Sequence, residues 1–533
     1  MFYGEGQSYI TQKQYDRERN FMDIVANYTH RFLDDRLGLQ AMVGASQEQY
    51  KYEWYSVTRK DLTIPNGTVL DAANGEISAS GNRTQWVMRS YFGRINLDWE
   101  NKYLAEFNHR SDGSSRFQSD HRWGYFPSGS LAWRVDQEAF MEDLEWLDNL
   151  KVRASYGALG NNAVGNYSSI SSYGATNYVL NNAVSTGWSI TALANAKLTW
   201  EKTKVTDIGL DFSVLNNHLY GTFDWFNKKT EGILIQLPSP LVHGNASTPT
   251  SNAAEVTNKG VELSLGWRGK INDFSYDING NYMYVTNNVD KFKGEDYSLS
   301  GIYMTKEGEA INSMYMYEVD RIIQTDEDLA IVNEMLAKNP DAFSKLGATP
   351  QKGDILFKDL NKDGIIDPNN DRKIVGSTIP KHTFGLTLSA AYKGIDLSIF
   401  MQGIAGAKGY LNASYFSSNV QRGYQITKEI AENSWVEGMT NAKYPRLTYQ
   451  NAINNQANTL WIQNKNYLKI RNIQLGYTIP KHLLSHFQLQ KLRIYGSLEN
   501  FFTFTSYKGI DPELDSLTYP TMRQAVFGIN IEF

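Results

Sequence analysis

The run Asp359-Leu-Asn361-Lys-Asp363-Gly364-Ile365-Ile-Asp367 places side-chain oxygens at loop positions 1, 3, 5 and 9. The Ile365 carbonyl falls at position 7, and Gly364 at position 6 suits the sharp turn of a calcium loop. Hard carboxylate and carbonyl oxygens at this spacing wrap one Ca2+. Position 12 departs from the pattern, since Asn370 stands where a bidentate Glu would and Asp371 follows as the substitute. The same residues also fit a loop closed by its own Asx turns, in which side-chain oxygens accept from nearby backbone amides. The two readings differ in whether the segment needs a cation to hold its shape.

No other constellation carries chemistry. The eight His are dispersed; His109 and His121 flank a loop, and only His482 and His486 share an i, i+4 spacing. A solvated helical turn accounts for that pair. Zero Cys removes disulfides, thiolate metal sites and Cys nucleophiles together. There is no phosphate-binding loop, nucleophile elbow or dinucleotide fingerprint. The sequence therefore predicts no enzyme and requires no cofactor, with Ca2+ at Asp359, Asn361, Asp363, Ile365, Asp367 and Asp371 as the one invited ion. Ligand contact falls to loop aromatics: Tyr167, Tyr173, Tyr178, Trp188, Tyr410, Tyr415, Phe416 and Trp435. Flat rings among Asn and Ser suit sugar faces by apolar stacking. The alternative is that these rings pack the loops onto one another.

The elements that would carry such loops are strands. The last eleven residues alternate strictly, with Phe527, Ile529, Ile531 and Phe533 on one face and Gly528, Asn530 and Glu532 on the other. A large apolar residue at a chain end is what a closed transmembrane barrel needs, because its last strand pairs and faces lipid. We read Phe527, Ile529, Ile531 and Phe533 as the assembly signal. The same pattern recurs upstream. Phe21–His30 and Leu37–Gln49 flank Asp34-Asp35, and Tyr91, Gly93, Ile95, Leu97 and Trp99 turn at Asn101 into Tyr103, Ala105 and Phe107. Further turns are expected at Asn216-Asn217, Asn272-Asp273 and Lys393-Gly394. Trp99, Tyr156, Trp225, Trp267, Tyr284, Tyr392 and Tyr477 sit at strand ends, where an interfacial girdle would place them.

Connections fall into two classes. Short turns alternate with long segments at 49–86, 161–198, 229–254 and 405–462, as in barrels with short periplasmic turns and long extracellular loops. The segment 287–379 reads as an extracellular excursion holding the Asp359 loop. About fifteen membrane strands follow, an odd number for a barrel that needs an even one. The chain is thus expected to begin inside a barrel, and Met1-Phe-Tyr-Gly-Glu-Gly-Gln has no signal-peptide pattern. The fold class is all-β, an antiparallel transmembrane barrel of which the chain holds part.

Bulk composition agrees. Aromatics make up 13% of the chain and charged residues 20%, and mean hydropathy is -0.46. No apolar run is long enough for a membrane helix. Strands that alternate lipid-facing and lumen-facing residues average to a polar score, so a negative mean fits a barrel. Net charge is -5 with Lys and Arg scattered, which argues against nucleic acid as a partner.

Several stretches resemble SusC/RagA-type TonB-dependent outer-membrane receptors. They include Leu198-Thr-Trp-Glu-Lys-Thr-Lys-Val-Thr-Asp-Ile-Gly-Leu-Asp-Phe, Phe226-Asn-Lys-Lys-Thr-Glu-Gly-Ile-Leu and Glu255-Val-Thr-Asn-Lys-Gly-Val-Glu-Leu. Gly353-Asp-Ile-Leu-Phe-Lys-Asp-Leu-Asn-Lys-Asp-Gly-Ile-Ile-Asp, Phe400-Met-Gln-Gly, Tyr467-Leu-Lys-Ile-Arg-Asn-Ile-Gln-Leu-Gly-Tyr and Ser497-Leu-Glu-Asn follow in that family's order, after Arg110-Ser-Asp-Gly-Ser-Ser-Arg-Phe and Trp123-Gly-Tyr-Phe-Pro-Ser. The resemblance implies a plugged barrel of about 22 strands. It also implies import of oligosaccharides or peptides across the outer membrane of a Gram-negative bacterium. The implied partners are outer-membrane lipid, a SusD-like surface lipoprotein and, through an N-terminal plug region that no part of this sequence resembles, the TonB complex. A passive porin, a surface adhesin and a secreted carbohydrate-active β-propeller are the rival classes.

Overall fold

The computed structural model describes residues 8–237, 242, 244, 246–294, 296–411, 425–484, 489–514 and 518–533. Fifteen strands form one sheet in which every strand is bonded to its neighbours in chain order. They are β1 (Tyr9–Phe32), β2 (Leu37–Lys60), β3 (Ile77–Trp99), β4 (Tyr103–Ser114), β5 (Trp123–Arg134), β6 (Leu147–Asn161), β7 (Glu201–Val214) and β8 (Leu219–Gln236). Then come β9 (Thr250–Ile271), β10 (Phe274–Phe292), β11 (His382–Tyr392), β12 (Ile395–Ala405), β13 (Tyr467–Thr478), β14 (Lys491–Thr505) and β15 (Gln524–Glu532). The sheet is antiparallel; among the described residues β1 is bonded to β2 alone and β15 to β14 alone.

The turns stand where the sequence puts them. Asp34 and Asp35, Asn101, Asn216 and Asn217, Asn272 and Lys393 all adopt left-handed φ, which Asn and Asp tolerate better than other non-glycine residues. The strands themselves run further than alternation alone indicates. β1 and β2 stay in register from Phe32↔Leu37 to Tyr9↔Lys60, rather than ending at Phe21 and Gln49. At about 3.3 Å per residue such strands are roughly 80 Å long, whereas crossing a bilayer takes only about ten residues. On β2 the face of Leu39, Ala41, Val43 and Ala45 continues into Gln47, Gln49, Lys51 and Glu53. Past the apolar belt the pattern changes phase, with Tyr50, Tyr52 and Trp54 now on the face opposite Gln49, Lys51 and Glu53, while the ladder continues. The connection read as 49–86 shrinks to residues 61–76.

The chain divides into two compact units. The first comprises Met1–Glu138, Val152–Asp207 and Lys228–Glu255. Its core gathers Phe117, Phe126, Val164, Leu198 and Trp200, with Met88 and Leu234 packed against them. Trp200 Nε1 donates to the Arg122 carbonyl at 2.8 Å, satisfying the one polar atom that its burial would strand. A two-stranded hairpin, Ser172–Leu180 with Ala183–Ala192, lies outside the large sheet.

The second unit comprises Ala139–Lys151, Ile208–Asn227 and Val256–Phe533. Its long connections fold into a body with its own core. Between β10 and β11 lie a four-stranded sheet (Tyr297–Ser300, Tyr303–Lys306, Ser313–Tyr317, Arg372–Gly376), a strand pair (Val319–Ile322 with Ile355–Phe357) and helix α1 (Asp326–Lys338). A capping box starts α1, with Thr325 and Asp328 each bonding the other's backbone amide. Tyr317, Ile323, Val332, Phe343, Leu346, Ile355, Phe357 and Ile366 bury together, and Ile453 joins them from the connection between β12 and β13.

Candidate functional site: the long connections

Two groups of loop side chains were expected to work, the aromatics and the Asp359 loop. In the first unit, register sorts the hairpin residues by face. Tyr173 pairs with Ile190, Ala175 with Trp188 and Val179 with Val184, so these share one side. Tyr178 pairs with Ser185 on the other. Trp188 is 74% exposed and Tyr173 63% exposed. Midway along the apolar side, Thr186 donates to Asn177 Oδ1 at 2.9 Å. Tyr167, in left-handed conformation, accepts at its hydroxyl from the Gln85 amide at 3.3 Å. From Ala154 to Ala196 the sequence contains no Asp, Glu, Lys, Arg or His.

In the second unit Tyr410 lies in the pair Lys408–Tyr410 with Ile462–Asn464, opposite Ile462. Tyr415 and Phe416 lie outside the described residues. Trp435 is only 7% exposed. Its Nε1 donates to the Met439 carbonyl at 2.9 Å, and a Cβ on Gly353 would stand 2.4 Å from its ring. Trp435 is therefore a packing residue here, with its ring laid on the bare backbone of Gly353, and it presents no free face to a ligand.

The Asp359 loop is held by its own amides. Asp359 accepts from Lys362 N at 2.6 Å and Gly364 N at 2.8 Å, and Asp363 from Ile365 N at 2.8 Å. Asn361 accepts from Asp363 N at 3.3 Å and donates to Asp363 Oδ2 at 2.7 Å. Asp367 accepts from Asn369 N and Asn370 N, while fully buried Asp371 accepts from Leu360 N at 2.7 Å and Asp367 N at 2.8 Å. Burial acts to raise the Asp367 carboxyl, but the amides of Asn369 and Asn370 outweigh it and hold the group below the usual carboxylate range. For Asp371 burial prevails over its two amides and pushes the carboxyl up. Among the described residues no three His, Asp or Glu side chains converge as a metal-ligand group.

Two constellations escaped the sequence reading. Asp354, with a side chain 2% exposed, accepts from Arg446 Nε at 2.8 Å and Nη2 at 3.2 Å, Asn451 Nδ2 at 3.0 Å and Asn454 Nδ2 at 2.9 Å. Asn454 Oδ1 in turn accepts from the Ile355 amide at 3.0 Å. This knot ties the connection before β11 to the one after β12. The partners stand roughly ninety residues apart in sequence, and no local pattern links them. The second is a charged column on β13. Lys469 Nζ meets Asp511 Oδ1 and Glu513 Oε2, both at 2.7 Å, and Tyr467 donates to Glu513 Oε1 at 2.7 Å. Here a signal existed, since Lys465, Tyr467, Lys469 and Arg471 recur at every second residue.

Among the described residues the arrangement is a sheet that carries folded loops, and the charged groups that converge at Asp354 and at Lys469 are closed into ion pairs with one another. Residues 2–501 match the family described as TonB dependent receptor-like, beta-barrel. The chain belongs to the TonB-dependent receptor family. TonB-dependent receptor P3 of Formosa agariphila is 31% identical over 479 residues, covering 85% of this chain and 46% of that protein. TonB-dependent receptor SusC of Bacteroides thetaiotaomicron is 28% identical over 491 residues, covering 87% and 45%. Among solved structures, the RagAB peptide transporter superposes with a TM-score of 0.84 at 23% identity, covering 98% of this chain and 56% of that one. The chain thus spans about half the length of the curated relatives it matches. TonB-dependent receptors of this family are outer-membrane proteins of Gram-negative bacteria and are not enzymes. On β14 and β15 apolar residues stand opposite one another, Ile531 against Leu492 and Ile529 against Ile494, the pairing expected of a lipid-facing row in such a barrel.

Proposed function

We propose that this receptor imports an uncharged oligosaccharide, with the chain supplying barrel wall and ligand-contacting loops. The reading is carried by the hairpin at 172–192. The face it shares between Tyr173 and Trp188 is exposed within a stretch that holds no Asp, Glu, Lys, Arg or His, in a chain where charged residues reach 20%. A peptide carries terminal and side-chain charges that such a surface leaves unpaired, whereas a pyranose offers a C–H face for a ring and hydroxyls for Asn, Ser and Thr. A SusD-like lipoprotein at the surface and the TonB complex in the inner membrane complete the pathway in this reading. The Asp359 loop enters it as a self-closed support with no required cofactor.

The test is uptake by cells that carry the complete receptor, followed as depletion of neutral oligosaccharides from the medium. Trp188→Ala should slow depletion at limiting concentration about tenfold, and Trp188→Phe should recover most of it, as expected of ring stacking. Depletion of peptides instead would replace the ligand class. Binding without depletion would make the protein an adhesin, and uptake independent of TonB would make it a passive porin.

A further inference from the structure

The connection between β14 and β15 is anchored at two points of different character. Its inner anchor is the β13 column. Lys469 holds Asp511 and Glu513, Tyr467 and Arg471 bond the other Glu513 oxygen, and Lys465 Nζ donates to the Leu514 carbonyl at 3.2 Å. Arg471, two residues on from Lys469, sits at a bulge between Ile470 and Asn472, and its guanidinium joins this cluster at Glu513. The Lys469 side chain is 3% exposed.

The outer anchor is Lys508. It pairs with Glu429 on helix α2 (Lys428–Asn433), donates to the Tyr444 hydroxyl at 3.1 Å and stands 5.8 Å from that ring's centre. Tyr444 donates to Glu429 at 2.8 Å and stacks on Trp461 at 5.6 Å. Residues 425–461 are themselves tied through Arg446 to Asp354 and so to the body between β10 and β11. One segment, 506–514, therefore joins the wall to the folded loops.

The two anchors differ in strength for a physical reason. Removing one member of the inner cluster leaves a buried charge uncompensated, which is strongly unfavourable. The outer pair is 46% and 43% exposed, so water and salt screen it and its loss is minor. We propose that 506–514 is a strap with a fixed inner end and a releasable outer end. Parting of Lys508 from Glu429 is the step that frees the 425–461 body from the wall during ligand passage.

These 533 residues hold no Cys, so none of their own side chains competes with two introduced cysteines for a cross-linker. In the complete receptor, Lys508→Met and Glu429→Gln should each raise hydrogen exchange across 427–446 and 506–510 about three- to tenfold at low salt. Raising NaCl from about 0.02 to about 0.5 M shortens the screening length from about 20 to about 4 Å. That should carry the native protein toward the variants and leave the variants unmoved. A Glu429→Cys/Lys508→Cys receptor closed by a short bis-maleimide should still bind ligand at the cell surface but stop depleting it. The uptake arm rests on the import reading, and the unlinked double variant separates the two. If it fails to import, the import reading is at fault; if the linked form imports as fast as the unlinked one, the strap is wrong. Exchange that responds neither to Lys508→Met nor to salt overturns the strap as well.

Discussion

Asp354→Asn is the sharpest perturbation of the folded loops. The carboxylate receives three donors on Oδ1, namely Arg446 Nε, Asn451 Nδ2 and Asn454 Nδ2, and two on Oδ2, Arg446 Nη2 and the Gln351 amide. The substituted amide sets its oxygen where three donors converge and turns its NH2 toward the remaining two. The change removes the charge of an ion pair and leaves two donors facing a third. Breaking a buried pair costs about 3–5 kcal/mol, and each orphaned donor about 1–3. The Arg446 side chain is 29% exposed, so water recovers part of that. The net loss should be about 2–3 kcal/mol, or roughly 30- to 150-fold in the local opening constant at 1.4 kcal/mol per decade. Hydrogen exchange of the complete receptor reads it directly. Ile323 N bonds the Asp354 carbonyl at 2.9 Å, Gly353 N the Ile323 carbonyl at 2.7 Å and Tyr317 N the Ala457 carbonyl at 3.1 Å. These amides should lose protection together while the β1–β2 ladder keeps its own. A change below about threefold would refute the assignment of Asp354 as the tie between the two connections.

Three other outcomes are expected. Asp359→Ala removes the acceptor for Lys362 N and Gly364 N and should make 358–372 protease-sensitive to the same extent with or without Ca2+; protection that appears only with Ca2+ would restore the cation reading. Burial works against charge on Asp511 and Glu513, yet Lys469 and the bonds around them keep both carboxyls below their ordinary ranges. Such groups stabilise the fold above their unfolded pKa values, about 3.9 and 4.3, and that contribution is lost as pH falls through the depressed folded values. Protection factors at 511–514, which divide out the intrinsic pH dependence of amide exchange, should therefore stay constant from neutral pH down to about 4 and fall below it. Deleting Phe533 should sharply lower surface-exposed receptor, measured by labelling intact cells, because the terminal strand loses its last lipid-facing ring; normal surface levels would remove Phe527, Ile529, Ile531 and Phe533 as an assembly signal.

The sheet was legible because two constraints act on each residue of the belt. One face meets hydrocarbon and the other does not, so Ile95, Leu97 and Trp99 alternate with Arg94, Asn96 and Asp98, and Asn101 or Asn272 marks a reversal. Where the first constraint lapses, as from Gln47 to Lys60, the alternation changes phase, with Tyr50, Tyr52 and Trp54 on the face opposite Leu39 and Val43, and the backbone ladder runs on through the change. The loops were legible only as chemistry. The spacing from Asp359 to Asp371 exposed a turn-forming set but could not say whether amides or a cation would fill the oxygens. In the structure the amides of Lys362, Gly364 and Ile365 bond the Asp359 and Asp363 carboxylates. Trp435 read like Trp188, an aromatic among polar residues; what separates them is Gly353, distant in sequence, whose missing side chain opens the slot that Trp435 occupies.

That contrast bears on how the protein divides its labour. The wall is stabilised by neighbours in the strand order: β1 needs β2, β2 needs β3, and pairs such as β1–β2 and β3–β4 are closed by turns of a few residues. The loop body in the second unit is stabilised the other way, by contacts such as Asp354 with Arg446 and Ile355 with Asn454 that skip two or more strands of the sheet. A body built on long-range contacts can move as a piece, because loosening its few ties to the wall leaves its own core of Tyr317, Phe343 and Ile355 intact. The described ties from the 506–514 strap are few, and the exposed one at Lys508 is the weakest of them. Motion of that body should therefore begin at Lys508, with the Asp354 knot and the β13 column both still closed.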